Sequence, residues 1–101
     1  MGRLGERLTR WFLSEHGLRV LATNVLVDRG EIDILALDHG ERVAIEVRTI
    51  TGPGEAIDAI DPAKRQRVRG LARQVGASRV DFVGVRIEPA AAVFHWVPGG
   101  S

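Results

Sequence analysis

Two acids stand where apolar residues would suit a buried strand better. The stretch GEIDILALDHGERVAIEVR, residues 30 to 48, reads as two apolar runs joined by a tight turn, with Asp33 in the first run and Glu46 in the second. If Asp38 to Glu41 closes the hairpin symmetrically, Asp33 faces Glu46, Glu31 faces Arg48, and Ile34 and Ala36 face Ile45 and Val43 on the other side. Directly opposed side chains of an antiparallel pair have Cβ atoms ~5 Å apart, and like charges there are destabilising. One carboxyl can be protonated, Arg48 can screen the pair, or a divalent cation can sit between them, held by carboxylates, water and substrate phosphate. The bland alternative puts both acids on the solvent face of a one-sided sheet. That same face carries Leu35, Leu37, Ala44 and Ile50, so part of it is expected to be covered.

The elements that must hold these acids follow from local patterning. Leu4, Leu8 and Phe12 recur every four residues and predict an amphipathic helix over about residues 3 to 16, stopped at Gly17. Leu18 to Val27 is rich in branched residues and reads as a strand. Residues 31 to 37 and 42 to 50 form the hairpin, and 51 to 60, TGPGEAIDAI, a loop. Asp61 suits an N-cap and Pro62 a first helical position, and Val68, Leu71, Ala72 and Val75 continue an apolar stripe to Gly76. Strands over 80 to 87 and 93 to 97 complete the order α-β-β-β-α-β-β. Neighbours joined by short turns pair antiparallel and a strand reached through a helix returns parallel, so an α/β fold with a mixed sheet flanked by helices is expected.

Composition bounds the rest. A chain of 101 residues implies one domain, here residues 1 to 97, with 98 to 101 (PGGS) as a mobile tail. No apolar run approaches the ~20 residues of a membrane span, and charges throughout the first twenty residues argue against a secretory signal, so a cytoplasmic protein is expected. There is no cysteine, which leaves carboxylates and three histidines as ligands and favours magnesium or manganese. Net charge is +1, but Lys64, Arg65, Arg67, Arg69 and Arg73 form an acid-free basic run. It reads either as a solvated helix face or as an attractor for phosphate.

The ordered blocks Gly5-Glu6, GEIDILA at 30 to 36, AIEVR at 44 to 48, Lys64 at the start of the second helix and RVDFVGV at 79 to 85 resemble the YraN-like family of small bacterial proteins. That family is similar to the restriction-endonuclease-like, PD-(D/E)XK, nuclease superfamily, near the archaeal Holliday-junction resolvases. The resemblance implies a restriction-endonuclease-like fold and a Mg²⁺- or Mn²⁺-dependent endonuclease-like hydrolase acting on DNA, branched DNA included, or on RNA. It further implies that Asp33 and Glu46 bind the cation, with Glu6 brought alongside from the first helix.

Residue 48 would be the superfamily's active-site lysine, and here it is arginine. Arginine stays charged, so Arg48 would orient water or stabilise the transition state without taking a proton. The same departure supports an alternative, a catalytically impaired nucleic-acid-binding module of the same fold. A third reading is an interaction domain, a homodimer among its forms.

Lys64 precedes Val68 by one turn, so it is placed inward, either at an active-site phosphate or snorkelling beside the sheet. Arg65, Arg69 and Arg73 form one ridge for a nucleic-acid backbone. Glu31 is read as the partner of Arg48, Asp81 as a structural acid paired with Arg79 or Arg86, and Trp11 and Trp96 as core. His16, His39 and His95 receive no role.

Overall fold

The computed structural model describes residues 2 to 28, 30 to 52 and 62 to 100. The expected loop beyond Gly52 and the expected cap Asp61 lie outside the described residues. Helix α1 (Gly2–Glu15) is followed by strands β1 (Arg19–Val27), β2 (Gly30–Asp38) and β3 (Glu41–Ile50), helix α2 (Pro62–Gln74), and strands β4 (Arg79–Glu88) and β5 (Ala91–Val97). The strands form one sheet in the order β1-β2-β3-β4-β5. Every neighbouring pair is antiparallel except β3 with β4, which are joined through α2 and run parallel. The mixed sheet flanked by helices is therefore the observed architecture. Among the described residues no helix is long and apolar enough to cross a membrane.

Glycine closes both helices as the sequence pattern requires. Gly17 and Gly76 take φ of 87° and 72°. In each case the next amide reaches back five residues, Leu18 N to Leu13 O and Ala77 N to Ala72 O, both at 3.0 Å. That is the Schellman closure, which satisfies carbonyls the helix leaves unpaired. The hairpin turn is equally local in origin. His39 and Gly40 both have positive φ, 52° and 84°, the two-residue turn whose twist matches that of the flanking strands. It sets the register Asp38–Glu41, Leu37–Arg42, Ala36–Val43, Leu35–Ala44 and Ile34–Ile45.

A core lies on each face of the sheet. On the α1 side Leu13 and Leu18 pack with Ile34, Ile45, Val83 and Val85. On the α2 side Val68, Leu71 and Ala72 pack with Ile32, Ala44 and Phe82. Central β3 is buried from Val43 to Val47, because both helices cover it. Glu46 therefore lies under α2 rather than on a bare solvent face.

The innermost stripe of α1 is not the expected Leu4–Leu8–Phe12. Gly5, Thr9 and Leu13 face the sheet and are buried, whereas Leu4 is 44% exposed and Trp11, expected in the core, is 59% exposed. The offset follows from a close approach: a Cβ on Gly5 would stand 3.1 Å from Thr49 Cβ and inside the contact radius of Thr49 Oγ1. A residue without a side chain lets α1 settle on β3, and its bulkier neighbours turn to the flanks. Gly5→Ala is accordingly expected to destabilise the fold by about 1–3 kcal/mol through overpacking. Thr49→Ala in the same chain should recover part of the loss, as read by urea denaturation; equal midpoints for Gly5→Ala and the parent chain would contradict the close contact.

The sheet is also tied through Asp81, which pairs with Ile45 of β3 one step from the Glu46–Phe82 pair. Asp81 on β4, fully buried, accepts from Arg79 Nε at 2.8 Å and Nη2 at 3.0 Å, from Trp96 Nε1 at 2.9 Å and from the Gly99 amide at 2.9 Å. Arg79 also reaches Asp38 at 2.8 Å and Glu41 at 3.2 Å across the hairpin end. The last of the Asp81 bonds ties the short 3₁₀ turn Pro98–Gly100 to β4.

Candidate active site

The site begins with a break in strand alternation. In β1 and β2, Thr23 pairs with Ile34 and Val25 with Ile32, and Asn24 between them has φ of 52°. Ile34 packs in the α1-side core and Ile32, two residues away, in the α2-side core. Regular pleating would put both on one face. On β1, Thr23 borders a cleft with Glu6 and Arg10 of α1, whereas Val25 packs on the α2 side. Both strands thus change face at the Asn24–Asp33 step, and Asp33 sits at the seam between the two layers.

This seam gathers the acids. Carboxylate oxygens of Glu6, Glu31 and Asp33 lie within 4.8 Å of one another. Asn24 Nδ2 donates to Glu6 Oε1 and to Glu31 Oε1, each at 3.0 Å, so a neutral amide bridges helix α1 to strand β2. Asp33 Oδ2 accepts the Val47 amide at 2.8 Å, where the β2–β3 pairing gives way beyond Ile34–Ile45. Asp33 and Glu46 therefore approach each other where their strands part, and not as one more step of the ladder.

Glu46 is 5% exposed and its Oε1 meets Lys64 Nζ at 3.0 Å. A cleft of about 280 Å³ is lined by Gly30, Glu31, Asp33, Glu46, Lys64 and Arg67, open to solvent beside the start of α2.

Electrostatics mark the crowding. Burial, followed by the charge of Glu46, pushes the Asp33 carboxyl up to about 7, and the Val47 amide and Lys64 offset only part of the rise. Glu6 is also raised, first by burial and then by Asp33 and Glu31, against the Asn24 hydrogen bond. Buried or crowded carboxyls resist ionisation unless a cation compensates, and oxygen-only donors suit a hard divalent ion. The donor set fits magnesium or manganese.

Of the residues singled out from sequence, Asp33, Glu46, Lys64 and Glu6 lie together here. Glu31 was expected to pair with Arg48; it is held by Asn24 and faces the acids instead. Two signals were available for it: the Glu31-x-Asp33 spacing and an asparagine inside a strand, a residue type tolerant of positive φ.

Arg48, opposite Gly84 in the β3–β4 register, is half-buried, and its Nε is buried without a hydrogen-bond partner. The ridge on α2 divides. Arg65 lies over the Phe82 ring, 5.2 Å from its centroid, while Arg69 and Arg73 border a separate cleft with Ser78 and Arg79. The histidines stand elsewhere: His39 in the hairpin turn bonds Asp38, and His16 packs tilted against the Phe12 ring.

A mixed five-stranded sheet between two helices, with acids on the diverging second and third strands, defines the restriction-endonuclease-like fold. The solved structure of Archaeoglobus fulgidus Hjc, described as a Holliday junction resolvase from an archaeal hyperthermophile, superposes with a TM-score of 0.54 at 22% identity. The superposition covers 96% of this chain and 71% of that one, and the likeness is one of fold. The chain belongs to the Uncharacterised protein family UPF0102, whose model matches residues 5–85, in keeping with the YraN-like resemblance. A UPF0102 protein of Mycolicibacterium vanbaalenii is 42% identical, over 86% of this chain and 80% of the relative. One of Leifsonia xyli is 34% identical, over 98% and 93%.

Proposed function

We propose that this chain is a divalent-metal-dependent endonuclease acting on DNA, branched DNA included. The observation that carries the reading is the convergence of Glu6, Glu31 and Asp33 beside the Glu46–Lys64 pair, in a cleft open at the seam of a restriction-endonuclease-like sheet. Asp33 and Glu46, with Glu6 and Glu31 from either side of Asn24, would hold Mg²⁺ or Mn²⁺. Such an ion supplies Lewis-acid stabilisation of a phosphoryl oxygen and lowers the pKa of water.

The chain's own residues do the rest. Lys64, held at the cleft by Glu46, would meet a phosphate oxygen. Arg48 stays protonated and contributes charge stabilisation and orientation without proton abstraction. Arg65, Arg69 and Arg73 along α2 would follow the backbone of the bound strand, an interaction weakened by salt. The fold resemblance to a junction resolvase favours DNA over RNA, and a cytoplasmic setting agrees with that substrate.

A second reading is favoured by one observation, the arginine at position 48: a binding module that retains the acid cleft without turnover. Incubation with four-way junctions, flaps, single-stranded DNA and RNA in Mg²⁺ or Mn²⁺ separates the two. The enzyme reading expects cation-dependent cleavage that falls by about a hundredfold or more in Glu46→Gln, in line with loss of a metal-site group. No cleavage, with salt-sensitive binding that Glu46→Gln leaves unchanged and that replacement of Arg65, Arg69 and Arg73 abolishes, establishes the binding module.

A further inference from the structure

Natural sheets protect their edges, because unpaired amides and carbonyls recruit further strands; charges, prolines, bulges and irregular backbone are the usual means. Among the described strands, β1 and β5 are the edges, and they differ sharply. β1 begins with Arg19, breaks register between Val20 and Ala22, and contains Asn24 at positive φ. β5, AAVFHWV, contains no Asp, Glu, Lys, Arg or Pro. Its register with β4 runs unbroken from Phe82–Val97 to Glu88–Ala91, and none of its residues has positive φ. The edge is unbroken, uncharged and rich in β-forming residues.

Both faces beside that edge expose apolar surface. On the α1 side Trp11, 59% exposed, has its ring centroid 6.4 Å from that of Phe94 on β5. On the opposite face Val93 is 42% exposed, and Ala91 and His95 are exposed with it. We propose that β5 pairs antiparallel with β5 of a second copy of this chain, making a continuous ten-stranded sheet about a twofold axis.

The occupant follows from charge and symmetry. An uncharged strand offers no attraction to an acidic or basic peptide, but its own copy meets it without like-charge opposition. A twofold contact also places the same patch on both sides, so Trp11 and Phe94 of one copy cover the strand of the other. Seven residues span ~24 Å, and such a contact is smaller than the ~1,600 Å² of a standard stable interface. The pairing is thus a concentration-dependent equilibrium. It does not depend on the nuclease reading.

Sedimentation of the full chain from low micromolar to near-millimolar concentration tests it. The mass should climb from 11.0 kDa toward twice that value, and amide exchange of residues 91 to 97 should slow as the dimer fills. With the strands fully overlapped about Phe94, Val93→Lys puts two lysines on one face diagonally across the dyad, ~7–8 Å apart, in place of an apolar contact, and should weaken dimerisation several-fold. Trp11→Ser, at an exposed helix position, should weaken it while leaving the melting temperature at low micromolar concentration, where the monomer prevails, close to that of the parent chain. A mass of 11.0 kDa at every concentration overturns the proposal. So does a dimer that both variants form as readily as the parent chain, or one whose β5 amides exchange at the monomer rate.

Discussion

Replacing Asp33 by Asn is expected to raise the melting temperature of the metal-free protein above neutral pH and to remove the stabilisation expected from Mn²⁺ in the parent chain. The Asp33 carboxyl titrates at about 7 in the fold, against an ordinary 3.8, because it is buried and faces Glu46. Between those values the folded chain keeps a proton that the unfolded chain has released. The resulting stabilisation is complete below pH 3.8 and is lost as pH rises through about 7. Across that window the metal-free fold should lose on the order of 2–4 kcal/mol from this group. Asparagine stays neutral, so the variant escapes the loss and overtakes the parent on the alkaline side.

A divalent cation held at the proposed site would reverse the balance, since it would need the carboxylate ionised and would bind only the assembled cleft. Its stabilising shift should therefore grow from about pH 6 to about pH 8 in the parent chain, as ionisation ceases to oppose binding. It should be absent from Asp33→Asn at either pH. Thermal melts at the two pH values, with and without millimolar Mn²⁺, read all of this before any substrate is known. A cation shift of the same size at both pH values, or one that survives in Asp33→Asn, would remove Asp33 from the metal site.

How much of this was legible in advance depended on the range of the interaction. The hairpin register followed from one turn, because His39-Gly40 accepts positive φ at both positions and the strands then have no choice of partner. The helix ends followed from Gly17 and Gly76 for the same reason. Lys64 was placed inward by its one-turn spacing from Val68, and it meets Glu46. The misreadings share a different cause. The true inner stripe of α1 depends on Gly5 meeting Thr49, a contact between elements more than forty positions apart, and helical periodicity does not report it. Glu31 was assigned to Arg48 on the assumption that the hairpin pleats regularly. It does not, because Asn24 on the neighbouring strand turns the chain over at the Asp33 step. A local irregularity in β1 thereby decides which acids of β2 converge, and pairwise reading of β2 against β3 cannot show it.

Asp81 should prove the fold's least tolerant polar position. Asp81→Ala is expected to cost about 3–5 kcal/mol, the loss typical of breaking one side of a buried charged pair. The carboxylate accepts four hydrogen bonds from three elements: β4 through Arg79, β5 through Trp96 and the terminal turn through Gly99. Alanine would strand the indole N–H and the Gly99 amide and leave Arg79 to Asp38 and Glu41 alone. Those two acids temper the loss, because the guanidinium keeps its hairpin partners. Asp81→Asn restores the shape but only one acceptor oxygen, and it presents an NH₂ to donors, so it should recover little. Urea denaturation of both variants decides the matter. If either keeps its midpoint within about 0.5 kcal/mol of the parent, the range typical of surface substitutions, the four bonds do not hold the sheet together. If both fall as expected while cation binding at the Asp33 cleft persists below the new midpoint, Asp81 and the cleft acids have separate roles: one shapes the scaffold, and the others serve the cation.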